Sequence, residues 1–143
     1  MGMLEILKIG ASGMKAQRTR METIATNLAN VHTTRTEEGG PYRKKDVVFT
    51  ESDVSEGNGF GRMLAKKLDG VKVEEVAESN KEFEKVFDPS HPDADKDGYV
   101  MLPNVNLMEE MADMVAATRA YEANINAVNT TKEMYLKSLE IGR

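Results

Sequence analysis

The stretch that decides the fold lies near the C-terminal end of the chain, at residues 107–141, and reads LMEEMADMVAATRAYEANINAVNTTKEMYLKSLEI. Alternate steps of four and three residues, counted from Leu107, select a set that is apolar except at Thr118 and Lys132. This spacing is typical of a helix with one apolar stripe. The apolar members are Leu107, Met111, Met114, Tyr121, Ile125, Val128, Tyr135 and Leu139.

The ends of this helix carry their own signals. Asn106, followed by Glu109, predicts an N-cap, and Gly142 predicts the C-terminal stop. The helix should therefore be about 35 residues long, or roughly 52 Å. A shorter partner cannot cover the whole stripe of such a helix, so part of the stripe is expected to await another chain.

A second helix is predicted at the N-terminal end. Its apolar residues recur at strict intervals of seven, while charged residues lie largely on the other side. Gly10 and Gly13 each cost roughly 1 kcal/mol relative to alanine inside a helix, so the first turns are expected to fray or to begin late, with the helix running from about Gly13 to Asn30. The repeating residues are Leu7, Met14, Met21 and Leu28.

The region between the helices, 32–105, has a different residue pattern from the helices. It contains four short segments that favour strands, and these predict a small sheet or an extended wrap. The segments lie within 43–49, 70–76, 85–87 and 99–101, with Val47, Phe49, Val71, Val73, Phe87 and Tyr99 as the expected buried side chains. A glycine-rich break at 57–61 predicts a flexible loop.

The expected fold is therefore mainly α with a small β-rich insert, in which the terminal helices pair as a coiled-coil hairpin. Residues 1–31 and 106–143 would form a discontinuous helical domain, and residues 32–105 a small β-rich domain. Counting Lys and Arg against Asp and Glu gives 4 against 2 for 1–31, 11 against 16 for 32–105, and 4 against 6 for 106–143. The resulting charges of +2, −5 and −2 mildly favour pairing of the two ends, and the acidic middle disfavours nucleic acid.

The amino-acid composition excludes most catalytic and metal-binding chemistry. The chain has 143 residues, no Cys and two His, which removes disulfides, thiol nucleophiles and cysteine metal sites. No apolar run is long enough to span a membrane, and the first residues lack the pattern of a cleaved secretory signal. We expect no catalytic residue, no metal ligand, no cofactor and no small-molecule substrate.

Two charged motifs could be taken for binding sites, but each has a simpler structural interpretation. Asp93, Asp95, Asp97 and Gly98 match the first half of a calcium loop, but the closing position holds Asn104 instead of glutamate, so a polar turn between two strands is strongly favoured. The basic run at 43–45 is surrounded by acids, and a solvated strand edge is favoured over a docking patch.

Both ends of the chain also resemble a known family. The segment from Ser12-Gly13-Met14 through Asn27-Leu28-Ala29-Asn30 is similar to the N-terminal motif of bacterial flagellar axial proteins, which form the rod, the hook and the hook-associated parts. Arg119-Ala120-Tyr121-Glu122-Ala123-Asn124 resembles their C-terminal motif. Within that family, 41–49, 98–105 and the short length resemble the proximal rod proteins in particular.

The resemblance implies a structural subunit of the flagellar basal body, located in the periplasm and exported without a cleaved signal peptide. Its expected partners are other rod proteins, basal-body ring components and copies of itself. The alternative is a coiled-coil signalling or adaptor protein that forms a closed dimer. Such a dimer is held by the same surface patch on both copies, whereas a rod subunit needs two different patches. The expected assembly interface comprises Leu7, Met14, Met21, Asn27, Leu28, Asn30, Met111, Met114, Arg119, Tyr121, Asn124, Ile125, Val128, Tyr135 and Leu139.

Overall fold

The structure, a computed structural model, describes residues 3–53 and 69–142. Within these ranges a helix lies at each end and the strands lie between them. In chain order the elements are α1 (Met3–Ala29), β1 (Lys45–Asp53), β2 (Asp69–Glu78), β3 (Glu84–Phe87), β4 (Tyr99–Leu102) and α2 (Leu107–Ile141). In this part of the chain, no helix is long and apolar enough to cross a membrane.

The two helices pack side by side with opposite chain directions, because contacts that lie later in α1 lie earlier in α2. In order, these contacts are Gly10 with Val128, Gly13 with Asn124, Arg20 with Asp113, and Asn27 with Glu110. The prediction of two packed terminal helices with a small antiparallel strand region between them is confirmed.

Helix α2 agrees closely with the sequence pattern. It spans 35 residues, from Leu107 to Ile141. The side-chain oxygen of Asn106 accepts hydrogen bonds from the backbone N–H groups of Met108 at 3.0 Å and of Glu109 at 3.3 Å. The predicted N-cap is therefore formed, and it satisfies two of the N–H groups that a helix start leaves without partners.

The predicted late start of α1 is wrong, because the helix already includes Met3 and continues through both glycines. A Cβ atom built on Gly10 would overlap Val128, and one built on Gly13 would lie 3.0 Å from the Asn124 amide nitrogen. The absence of side chains at these positions lets α2 approach closely. The packing gained offsets the low helix propensity of glycine.

Replacing Gly10 with alanine is expected to destabilise the protein, although alanine favours a helix by about 1 kcal/mol. The new methyl group would overlap the β-branched side chain of Val128, and overpacking costs about 1–3 kcal/mol. We expect a net loss of about 1 kcal/mol in urea unfolding followed by circular dichroism. Gly13→Ala is the matched control and should lose less, because the Asn124 amide can turn away. A more stable Gly10→Ala protein would contradict the close approach.

The strands form two separate two-stranded antiparallel sheets. Strand β1 pairs with β2 from Lys45 opposite Glu78, with an irregularity between Val48 and Phe49, and β3 pairs with β4. All four predicted strand segments are confirmed. Only the β1–β2 sheet packs against a helix among the described elements, and that helix is α1.

A hydrogen bond from strand β2 helps to hold this sheet against α1. The backbone N–H of Val71 in β2 donates to the Ser12 hydroxyl oxygen at 3.1 Å, and that hydroxyl donates to the carbonyl of Ile9 at 2.7 Å. The serine between the two glycines of α1 therefore has a structural role in holding the sheet.

The expected core of the middle region is partly wrong. Val47, Phe49 and Val73 are half-buried, but Val71, Phe87 and Tyr99 are exposed. A two-stranded sheet buries a face only where another layer covers it, and no described element layers onto β3–β4. Among the described residues of the middle region, Tyr42, Val100 and Pro103 are buried.

The acidic motif at 93–98 forms the predicted polar turn between β3 and β4. The Asp95 carboxylate accepts backbone hydrogen bonds from Asp97 and Tyr99, both at 2.9 Å. Asp93 accepts a hydrogen bond from the Thr34 hydroxyl at 2.7 Å. Gly98 has φ +82° and leaves no room for a Cβ beside the Phe87 ring, so glycine suits this turn. The predicted loop at 57–61 lies outside the described residues.

Candidate assembly interface

Most of the α1 residues that we expect in the assembly interface are partly covered within the subunit. Leu7, Met14, Met21, Leu28 and Asn30 are half-buried. Asn27 differs from them, because only 1% of it is exposed. The α1 stripe is thus partly covered within the subunit, where α1 packs against α2 and the β1–β2 sheet.

The expected interface residues of α2 divide into two groups. Half-buried residues are Met114, Tyr121, Asn124, Ile125 and Val128, and exposed residues are Met111, Arg119, Tyr135 and Leu139. The most buried residues of α2 are Glu110 and Ala117, each one position before a member of the predicted four-and-three pattern. The covered face of α2 is therefore rotated relative to the apolar stripe, and it coincides with the stripe at Met114, Tyr121, Ile125 and Val128.

Two clusters of exposed apolar side chains lie at opposite ends of α2. We call them the N-terminal patch and the C-terminal patch of α2. In the C-terminal patch, Leu139 is 54% exposed and Ile141 is 87% exposed. The N-terminal patch comprises Leu107, Met108, Met111 and Val115, and the C-terminal patch comprises Met134, Tyr135, Leu136, Leu139 and Ile141.

The C-terminal patch is exposed because of how the helices are aligned. Gly10 faces Val128, so counting seven residues in each direction places Met3 level with Tyr135. The last two turns of α2 therefore extend beyond the described part of α1. Apolar clusters left uncovered in this way mark protein contacts.

A buried polar network joins the two helices to the segment that leads into β1. The Asn27 amide donates to Glu110 Oε2 at 3.0 Å and to the Lys45 carbonyl at 2.8 Å. Its oxygen accepts from the Tyr42 hydroxyl at 2.9 Å and from the Lys45 N–H at 3.0 Å. All four hydrogen-bonding positions of the Asn27 side chain are thus used.

Lys44 completes this network with a buried ion pair. Its Nζ lies 2.7 Å from Glu110 Oε1 and 3.5 Å from Asp46 Oδ1, and only 12% of its side chain is exposed. The predicted solvated strand edge is therefore wrong at Lys44. Burial alone would lower the pKa of Lys44, but its hydrogen bond to Glu110 and the charges of Glu110 and Asp46 leave that pKa above its usual value.

Sequence reasoning missed Glu110, whose acidic side chain lies off the predicted apolar stripe. The only clue was a lysine run inside an acidic region, which suggests an acidic partner without identifying it. The partner is about 65 residues away in the chain, so no local pattern could reveal it.

Stability is expected to decrease as the pH rises above about 10. Burial, followed by the charges of Glu110 and Glu78, raises the pKa of Tyr42 above 10.0, and the pKa of Lys44 is raised above 10.5. The folded chain therefore holds both protons more tightly than the unfolded chain. Their contribution to stability is complete below the unfolded pKa values and is lost as the pH rises through the folded ones.

Urea midpoints measured at pH of about 9 and about 11 test this pH dependence. Tyr42→Phe is the matched variant, because it removes the titrating hydroxyl and keeps the ring. Its midpoint should decrease less over this interval than that of the unchanged protein. Equal decreases would show that Tyr42 does not contribute.

The described residues offer no assembled site for metal chemistry: within 3–53 and 69–142, no three His, Asp or Glu side chains come together to hold an ion. The two exposed apolar patches of α2 are suited to contact with other proteins.

Comparison with known proteins also indicates a protein that assembles with others. A family model described as "Flagella basal body rod protein" matches residues 7–35, which cover most of α1. A second, described as "Flagellar basal body rod FlgEFG protein C-terminal", matches residues 96–141, which include β4 and α2. Both matches lie on the elements that form the helix pair.

Individual relatives extend the likeness to the whole length. The flagellar basal-body rod protein FlgC of Bacillus subtilis is 43% identical over 96% of each chain. The FlgC protein of Borreliella burgdorferi is 41% identical over 99% of this chain and 98% of its own. That of Salmonella typhimurium is 41% identical over 100% of both. The chain therefore belongs to the family of the flagellar basal-body rod protein FlgC and is a structural subunit of the rod, not an enzyme.

Proposed function

We propose that this protein forms the proximal part of the rod by packing α2 against neighbouring subunits, and that the resulting helix contacts transmit motor torque. The observation that carries the proposal is the pair of exposed apolar patches at opposite ends of α2. A subunit with two unlike patches, well separated along one helix, is suited to head-to-tail contacts that continue from copy to copy.

The two patches differ in shape as well as in position. Leu107, Met108, Met111 and Val115 lie within about 100° of arc on α2, at 100° per residue, so the N-terminal patch has one direction. The C-terminal patch surrounds the end of the helix. Each patch can thus meet a different partner surface, as a rod requires.

The proposed partners are other rod proteins, basal-body ring components and copies of this chain. The proposal includes no nucleic acid and no small-molecule substrate. The coiled-coil hairpin belongs to the same proposal: α1 and α2 pack as a hairpin whose seam continues into contacts between subunits. Residues 1–31 with 106–143, and residues 32–105, would be the two domains of the subunit.

We further propose that the protein lies in the periplasmic part of the basal body and reaches it without cleavage of a signal peptide. The apolar repeat begins at Leu7, which lies within α1 and within the region similar to rod proteins. Removing these residues would remove the first turns of a packed helix. Peptide mass spectrometry of the protein isolated from basal bodies should find the residues of the first turns of α1, whereas their absence would refute this.

Site-specific photocrosslinking tests the mode of assembly. A photoreactive amino acid is placed at Met111 in one strain and at Tyr135 in another, and adducts from isolated basal bodies are identified by mass spectrometry. The rod proposal expects each probe to reach a surface different from its own patch. Cross-linked products that never exceed two copies of the chain would instead indicate the closed dimer of an adaptor coiled coil, whether each probe reaches its own patch or the other one.

A further inference from the structure

We propose that the buried Asn27–Glu110–Lys44 network selects which heptad of α1 packs against which heptad of α2, and so keeps the C-terminal patch of α2 exposed. The exposed C-terminal patch contributes to assembly only if the proposed function is correct. The selection of register is a property of the folded chain and does not depend on the proposed function.

The heptad repeat of apolar residues does not specify the register by itself, and the close approach of Gly10 to Val128 is the apolar contact that favours the observed one. Leu7, Met14, Met21 and Leu28 recur every seven residues in α1, and Met114, Tyr121, Val128 and Tyr135 recur every seven residues in α2. A shift of α1 by one heptad, about 10.5 Å, would therefore set the same kinds of side chains against each other. Methionine adapts readily to such changes of neighbour.

A shift toward the C-terminal end of α2 would even bury more apolar surface there. Tyr135 would come to lie level with Gly10, and Leu139 level with Ile6, by counting from the observed contact of Gly10 with Val128. In the observed register Tyr135 is 45% exposed and Leu139 is 54% exposed. Hydrophobic burial at this end thus favours the register that the protein does not adopt.

The polar network opposes the shift. In the observed register both Asn27 and Glu110 are 1% exposed, and each bonds the other. After a heptad shift Asn27 would lie level with Ala117, which offers no acceptor, and Glu110 would lie beyond the end of α1. Lys44 would lose its ion pair with Glu110. Buried polar groups without partners are strongly unfavourable, so the network penalises the alternative register.

Intrachain disulfide formation tests the proposal, because the chain has no cysteine of its own. Gly10→Cys with Val128→Cys reports the observed register, since a Cβ at position 10 lies 4.0 Å from the Val128 Cβ, which suits a disulfide. Gly10→Cys with Tyr135→Cys reports the shifted register, because position 135 lies one heptad further along nearly the same face of α2. Both pairs are introduced into the full chain with the network intact and into the double variant Lys44→Met/Glu110→Leu.

With the network intact, we expect the 10–128 disulfide to dominate. In the double variant, the yield of the 10–135 disulfide should rise about tenfold or more relative to 10–128. Glu109→Leu removes an exposed carboxylate from the neighbouring position and should leave the ratio unchanged. The ratio is measured in the purified chain and in isolated basal bodies, so failure to assemble does not hide a change of register.

An unchanged ratio in the double variant, in either preparation, would overturn the proposal. If circular dichroism shows that the double variant does not fold, the same ratio is measured in Glu110→Gln. This variant keeps an acceptor for Asn27 but removes the partner charge of Lys44. A rise smaller than tenfold but clearly above the Glu109→Leu control is then expected, and no rise would overturn the proposal.

Discussion

Leu139→Asp is expected to abolish swimming while leaving the isolated subunit as stable as the unchanged protein. Leu139 is 54% exposed in the single subunit, so an aspartate there remains solvated, and exposed substitutions change stability by about 0.5 kcal/mol or less. In an apolar contact with a neighbouring subunit, the same carboxylate would lose its water without gaining a partner. That costs several kcal/mol per ion and weakens each contact by about a hundredfold or more.

The measurement combines swimming in soft agar with electron microscopy of isolated basal bodies. Asn126→Asp is the matched control, because it adds one negative charge at an exposed polar position of the same helix. It should swim normally. A motile Leu139→Asp strain with complete rods would show that the C-terminal patch does not hold the rod together.

Glu110→Ala is expected to produce the largest loss of folding stability of any single substitution considered. The change leaves Lys44, with 12% of its side chain exposed, without the carboxylate at 2.7 Å from its Nζ, and leaves one N–H of Asn27 without an acceptor. Breaking a buried ion pair from one side costs about 3–5 kcal/mol. Urea unfolding of the purified protein should show a decrease of this size.

A double-mutant cycle separates the interaction energy between Lys44 and Glu110 from the effect of each substitution alone. Lys44→Met/Glu110→Leu removes both charges and fills the space with apolar groups, which is often neutral or stabilising, so it should lose much less than Glu110→Ala. Glu109→Ala is the control for helix α2, since its carboxylate lies 3.9 Å from Lys81 in an exposed pair. Its loss should not exceed about 1 kcal/mol. Equal losses for Glu109→Ala and Glu110→Ala would contradict the role given to the network.

Helix α2 could be predicted nearly to the residue. Its start depends on Asn106, whose side chain bonds the N–H groups two and three residues later, and its stripe depends on a period of three to four residues. These interactions connect positions within one or two turns. They operate whatever the rest of the chain does, and the same is true of the Asp95 turn before β4.

The features that could not be predicted depend on residues far apart in the chain. Gly10 is a poor helix residue considered alone, and its place in α1 makes sense only with Val128 opposite it. Phe87 has the character of a core residue, but β3–β4 receives no covering layer from the described elements and the ring is exposed.

The local sequence pattern was thus sufficient to predict the terminal helices and the four strands. The motifs at both ends were sufficient to predict the family. The alignment of α1 with α2, the rotation of the covered face and the burial of Glu110 followed from tertiary contacts. The physical reason is that the free energy of a buried polar group depends on its partners, and those of Glu110 lie at Asn27 and Lys44, which the sequence separates and folding brings together.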